Sequence, residues 1–138
     1  MSTSLSCLCG QAKLDVQHDI KEVGVCHCSM CRRWGGGPFL AVHVGAEVKL
    51  DGPISRYQSS DWANRGFCAQ CGTHLFYQLN DSQEYVIAAG LYDANTELAM
   101  TSQIYIDQKP PYYEFANDTP KLTEAEFLAS MGVTLPEA

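Results

Sequence analysis

The sequence predicts a mainly β domain: an antiparallel sheet stapled by zinc, with one short helix near the C-terminus. Three observations predict it. Apolar residues come in short runs separated by turn residues, which is the pattern of antiparallel strands. All seven cysteines fall into three tight groups, which reads as metal ligation in a reducing compartment. One stretch near the end carries the signals of a helix start. The 138 residues fit a single domain spanning 1–138, and two full cores would be hard to fit in that length.

The strands are expected in order. Ala12, Leu14 and Val16 alternate with polar residues over 11–17, and Val23 and Val25 lead into the second cysteine group. Pro38–Val44 is an apolar run, Val48 and Leu50 alternate before the turn Asp51-Gly52-Pro53, and Ile54–Gln58 is another short strand. Arg65–Phe67 leads into the third cysteine group and Thr73–Leu79 leaves it. After the turn Asn80-Asp81-Ser82 come Tyr85–Gly90 and an alternating stretch at Gln103–Asp107. The helix starts at Thr123, an N-cap with Glu126 three residues on, which makes a capping box. Leu122 and Phe127 sit at the positions of a hydrophobic staple, and Gly132 is placed to stop the helix in a left-handed conformation.

Composition excludes several function classes. Hydrophobic residues are 46% and charged residues 18% of the chain, which is globular rather than disordered composition. A net charge of −7 argues against nucleic-acid binding, because phosphate contacts need excess Lys and Arg. No apolar run is long enough to span a membrane, and no signal peptide is visible at Met1–Leu5, so the expected location is the cytoplasm. The charge is uneven: residues 1–72 carry seven basic and six acidic groups, residues 73–138 two and ten. All the cysteines lie in the near-neutral half, which is where the chemistry is expected.

The groups are Cys7-x-Cys9, Cys26-x-Cys28-x-x-Cys31 and Cys68-x-x-Cys71. A structural zinc takes four ligands, so seven thiolates divide into four and three. Cys26, Cys28 and Cys31 are close enough in sequence to grip one ion with almost no loop closure, which leaves Cys7, Cys9, Cys68 and Cys71 as the four-cysteine site. Gly10 and Gly72 follow the last cysteine of each pair. A positive φ there turns backbone N–H groups toward the sulfurs. Other partitions, such as Cys26 and Cys28 joining Cys68 and Cys71, stay open on sequence alone.

Three protein ligands leave a tetrahedral zinc with one position for water or substrate, unless a histidine closes it. His27 lies between two ligands, so an extended segment would point it away. His18, His43 and His74 are read as bystanders. A zinc on three thiolates favours a soft fourth ligand, and a thiolate is the softest common one. Arg32 and Arg33 follow, suited to holding carboxylates, and then Trp34-Gly35-Gly36-Gly37, where a glycine-rich turn lets backbone N–H groups approach an anion.

The order Cys7-Leu8-Cys9-Gly10, Cys26-His27-Cys28-Ser29-Met30-Cys31-Arg32-Arg33 and Gly66-Phe67-Cys68-Ala69-Gln70-Cys71-Gly72-Thr73 resembles the glutathione-dependent formaldehyde-activating enzyme family, also called the centromere-protein-V family. Ile104–Pro120, with Asp118 and Pro120, resembles its C-terminal segment. The resemblance spans about residues 4–121. It implies a mainly β, Mss4-like fold. It implies a structural zinc on Cys7, Cys9, Cys68 and Cys71, and a second zinc on Cys26, Cys28 and Cys31 that takes part in activity. It implies a carbon–sulfur lyase that joins glutathione to formaldehyde and reverses the reaction. The family pattern often has a small residue where this chain has Trp34 and Ser where it has Gly35; matches resume at Gly36, Pro38 and Phe39. The leading expectation is therefore an enzyme with Cys26, Cys28 and Cys31 at its catalytic centre and Arg32, Arg33, Trp34 and Gly36 against the substrates, a glutathione-like thiol and a small aldehyde. The alternatives are a zinc-stabilised scaffold and a thiol-based redox or metal sensor. Exposed strand edges also make a homodimer an expectation.

Overall fold

The computed structural model describes residues 3–17 and 21–132. His18 falls outside the described residues. The elements are β1 (Thr3–Ser6), β2 (Lys13–Val16), β3 (Glu22–Cys26), α1 (Ser29–Gly35), β4 (Phe39–Gly45), β5 (Val48–Asp51), β6 (Ile54–Tyr57), β7 (Ala63–Cys68), β8 (His74–Leu79), β9 (Tyr85–Ala88), β10 (Ala99–Ile104), β11 (Lys121–Leu122) and α2 (Glu124–Ser130). The protein is mainly β, as the alternating apolar runs predict. The chain forms two compact units, one from Met1–Glu22 and Ala41–Leu98, the other from Val23–Leu40 and Ala99–Ala138.

In the first unit, β1, β2 and β5 form an antiparallel three-stranded sheet in which Leu5 faces Leu14 and Leu14 faces Leu50. Strands β4, β9, β8, β7 and β6 follow one another in antiparallel order. Leu14, Val16, Val42, Val44, Leu75, Phe76 and Ile87 are fully buried. Leu14 and Val16, and Val42 and Val44, come from every second position of their strands, because side chains alternate between faces, whereas Leu75 and Phe76 are neighbours where the β7–β8 register shifts.

One close approach in this unit gives a direct test. Gly66 on β7 lies opposite Phe76 on β8, and a Cβ at Gly66 would run into the Phe76 ring. The ring has no room to yield: it is fully buried, its centroid is 4.9 Å edge-to-face from the Tyr85 ring, and the Arg56 guanidinium sits 4.9 Å above it. Gly66→Ala is expected to destabilise the protein by about 1–3 kcal/mol through overpacking, read as a lower denaturant midpoint. An unchanged midpoint would show that the ring is free to move.

In the second unit the strand order is β11, β10, β3. Val23, Val25 and Gln103 are buried in it. β11 runs parallel to β10, with Gln103 opposite Lys121 and Ile104 opposite Leu122, so the antiparallel expectation fails for this pair. The expected strand at Gln103–Asp107 is shifted. β10 begins at Ala99 and stops at Ile104, because Tyr105 adopts a left-handed conformation (φ 56°, ψ 39°) and a single 3-10 turn follows at Ile106–Gln108. α2 has the expected capping box, with Thr123 Oγ1 accepting from Glu126 N and Glu126 Oε1 from Thr123 N. Gly132 follows it at φ 79°. The sequence reading expects one helix, whereas the described residues form two α-helices, α1 and α2. α1 begins inside the second cysteine group; at seven residues, with two arginines and a terminal glycine, it shows no apolar periodicity.

Candidate metal centre

Each cysteine group is gathered by the local geometry of its own turn. Cys7-Leu8-Cys9-Gly10 closes with Gly10 N donating to Cys7 O at 3.0 Å, and Cys68-Ala69-Gln70-Cys71-Gly72 closes with Gly72 N donating to Cys68 O at 2.8 Å. Gly10 and Gly72 have φ of 83° and 80°, as the two-turn reading requires. Backbone N–H groups then point at sulfur: Ala12 N lies 3.3 Å from Cys7 Sγ, and Gln70 N and Cys71 N each lie 3.4 Å from Cys68 Sγ.

The sulfurs of Cys7, Cys9, Cys68 and Cys71 all lie within 4.8 Å of one another, and those of Cys26, Cys28 and Cys31 form a second group on the same criterion. This is the four-plus-three division, and the alternative pairing of Cys26 and Cys28 with Cys68 and Cys71 is not formed. Cys7 Sγ is 3.4 Å from Cys9 Sγ, and Cys9 Sγ is 3.8 Å from Cys68 Sγ. None of the seven cysteines forms a disulfide. Ligands about 2.3 Å from a tetrahedral zinc sit roughly 3.8 Å apart, so the four-sulfur group has the spacing and the N–H···S bonds that a bound dication needs. The set of three has the same donor chemistry, and no fourth His, Cys, Asp or Glu joins it among the described residues.

Each set shares protons unevenly. In the trio, hydrogen bonds from the Cys26 and then the Cys31 side chain hold the Cys28 thiol down to about 2 despite burial. Cys26 is pushed strongly upward by its hydrogen bonds to Cys28 and Cys31. In the four-sulfur set, the Thr73 hydroxyl, 3.1 Å from Cys71 Sγ, holds Cys71 down to about 5. A backbone hydrogen bond from Gln11 pulls Cys9 down, but lost hydration and the sulfurs of Cys7, Cys71 and Cys68 outweigh it and push Cys9 up to about 12. Both sets are ready to exchange protons for a cation.

Cys28 is also the N-cap of α1, its Sγ accepting from Cys31 N at 3.3 Å. The helix thus turns Cys31 back to its own N-cap Cys28 and to Cys26 at the end of β3. Arg32 is half-buried and donates from Nε to His27 O at 3.2 Å, while Arg33 is exposed. Neither has a carboxylate partner among the described residues. Trp34 packs edge-to-face on Phe39, with ring centroids 5.6 Å apart. Gly36 has a different task from the anion contact expected of it. It is the left-handed C-cap of α1 (φ 83°), and its N–H is donated to Arg32 O at 2.7 Å.

His27 is fully buried and faces away from the sulfurs, with Nδ1 2.7 Å from Tyr113 Oη and Nε2 2.9 Å from Gln103 Oε1. Burial holds its pKa below the ordinary value; the Gln103 bond opposes this and Lys109 adds to it. His43 is on the surface, 3.6 Å from Glu84 Oε2. His74 is half-buried, and burial and then Arg65 lower its pKa. Neither belongs to a cysteine group. Sequence reasoning missed Gln103, Tyr113 and Thr119 around His27. They lie 76 and 86 residues from it for the first two, and no local spacing links them.

The family model of the glutathione-dependent formaldehyde-activating enzyme matches residues 2–108, a span that includes both cysteine sets. The chain belongs to that family. A protein of Schizosaccharomyces pombe named as an uncharacterized lyase is 33% identical over 129 residues, covering 91% of this chain and 94% of the relative. A crystal structure of a Rhodobacter sphaeroides protein is similar in fold, with a TM-score of 0.57 at 20% identity, over 73% of this chain and 99% of that one. No helix among the described residues is long and apolar enough to cross a membrane.

Proposed function

We propose that this protein is a zinc-dependent carbon–sulfur lyase that adds a low-molecular-weight thiol such as glutathione to formaldehyde or a related small aldehyde, and catalyses the reverse. The observation that carries the reading is the incomplete trio Cys26, Cys28 and Cys31, gathered without a fourth protein ligand among the described residues in a chain of this family. Zinc held by these three sulfurs would supply a soft Lewis acid that keeps an incoming thiol in its thiolate form at neutral pH. A second zinc on Cys7, Cys9, Cys68 and Cys71 is structural.

The remaining work falls to the chain itself. Cys28 and Cys31 are buried, which shields the reacting sulfur from water. Arg32, anchored through Nε to the His27 carbonyl, keeps its terminal nitrogens for a carboxylate of the thiol. Arg33 adds positive charge at the rim, and Trp34, seated on Phe39, forms an apolar wall. Holding thiol and aldehyde together is the largest gain open to a bimolecular addition. Seven cysteines outside any disulfide suit a reducing compartment, the cytoplasm. The test is formaldehyde consumption by zinc-loaded protein with and without glutathione. The expected result is glutathione-dependent loss well above the uncatalysed rate; a rate equal to the uncatalysed one would overturn the proposal.

A further inference from the structure

The two turns of the four-sulfur set are joined by a side chain that is not itself a ligand. Leu8 stands between Cys7 and Cys9 in the first turn, and its backbone N–H is donated to Thr73 Oγ1 at 3.1 Å. The same oxygen lies 3.1 Å from Cys71 Sγ in the second turn. Leu8 and Thr73 are 65 residues apart along the chain, and both belong to the first unit. One hydroxyl thus touches both halves of the set.

The directions of these two bonds follow from the atoms. Leu8 N–H can only donate, so it takes one lone pair of Oγ1 and leaves the hydroxyl proton unused. A sulfur bound to a dication has given up its proton and can only accept. With metal in the site, Thr73 O–H therefore donates to Cys71 Sγ. Thr73 is fixed for this task by its own backbone, because Cys68 N donates to its carbonyl at 2.9 Å and β8 begins at the next residue. The Leu8 side chain is 91% exposed, so its N–H is what this residue brings to the site. The donors to Cys7 and Cys68 are backbone N–H groups, which survive a change of side chain. The hydroxyl bridge depends on the residue at 73. Valine has the shape of threonine but can neither accept nor donate there.

We infer that Thr73 is the positioning residue of the four-sulfur site: its hydroxyl accepts from the first turn, donates to Cys71 Sγ in the second, and so sets how the two ligand pairs meet around the ion. This rests on reading that set as a structural zinc site and deepens it. Metal binding is measured in a Cys28→Ser background, which leaves the four-sulfur set as the complete one. By competition with a chelator, Thr73→Val is expected to weaken zinc binding about 10–100-fold, the usual cost of losing a partner of a metal ligand, and Thr73→Ser is expected to bind as tightly as threonine. A second readout separates this role from a loss of stability. With cobalt(II) at saturation, the sulfur-to-metal charge-transfer bands of Thr73→Val are expected at longer wavelength than those of the threonine and serine proteins, because a sulfur relieved of a hydrogen bond donates more strongly to the metal. A third needs no variant: in zinc-loaded wild type the Leu8 amide is expected to exchange with solvent more slowly than in a free peptide, although its side chain is exposed. Fast exchange at Leu8 would overturn the assignment. So would a valine protein whose bands superpose on those of threonine, whatever its affinity, or a serine protein that binds zinc as weakly as valine. A background protein that takes up no zinc at all would instead overturn the reading of the four sulfurs as a zinc site, and this assignment with it.

Discussion

Replacing Cys28 with serine is expected to cut glutathione-dependent formaldehyde consumption by more than about a hundredfold while leaving the fold intact. Outer partners of metal ligands already cost roughly 10–100-fold, and Cys28 is a direct member of the trio. Its loss would leave two sulfurs, too few to hold the ion as the three do. Serine suits the test because of a second role of this residue. Cys28 caps α1 by accepting from Cys31 N, and serine is among the best N-cap residues, so the helix keeps its start. The expected result is a protein with wild-type circular dichroism, zinc bound only at the four-cysteine site and almost no activity. Wild-type rates in Cys28→Ser would remove the trio from the mechanism.

Cys68→Ser is expected to have the opposite profile, with the fold failing before any question of activity arises. Cys68 is buried, lies 3.8 Å from Cys9 Sγ and accepts from two backbone N–H groups. Its set ties the turn after β1 to the turn after β7, and both belong to the first unit. A structural zinc contributes about 10–16 kcal/mol in small metal-folded peptides, against about 5–15 kcal/mol for the whole stability of a typical domain. Losing one ligand is therefore enough to remove the cooperative unfolding transition. Thermal unfolding followed by circular dichroism checks it, with a strong chelator on wild type as a parallel arm. A sharp transition within a few degrees of wild type in both arms would mean that the four sulfurs do not hold the fold together.

The contrast between these variants reflects how differently the two sets could be read in advance. The short alternating runs placed most of the strands, since burial on one face of a strand imposes a period of two on the residues themselves. The capping box at Thr123 was equally visible, because its two hydrogen bonds join residues three apart. α1 was hidden: its seven residues are too few to show an apolar stripe, and a sulfur rather than a hydroxyl caps it. The brevity of β1 and β11 hid them too, and the end of β10 was misplaced because the left-handed Tyr105 is a residue type that rarely takes that conformation.

The sequence by itself determined the three cysteine groups, because sulfurs that grip one ion from a single turn must lie close along the chain, and the cost of closing loops favoured their division into four and three, which the structure then formed. Only the tertiary structure decided what stands beside the trio. Gln103 and Tyr113 reach His27 across long stretches of chain, with Thr119 bonded to Gln103 behind it, and a hydrogen bond between residues so distant leaves no periodicity or spacing to read. Gly36 shows the same limit on a small scale: a glycine run suggests backbone open to an anion, and folding instead commits that N–H to the end of a helix.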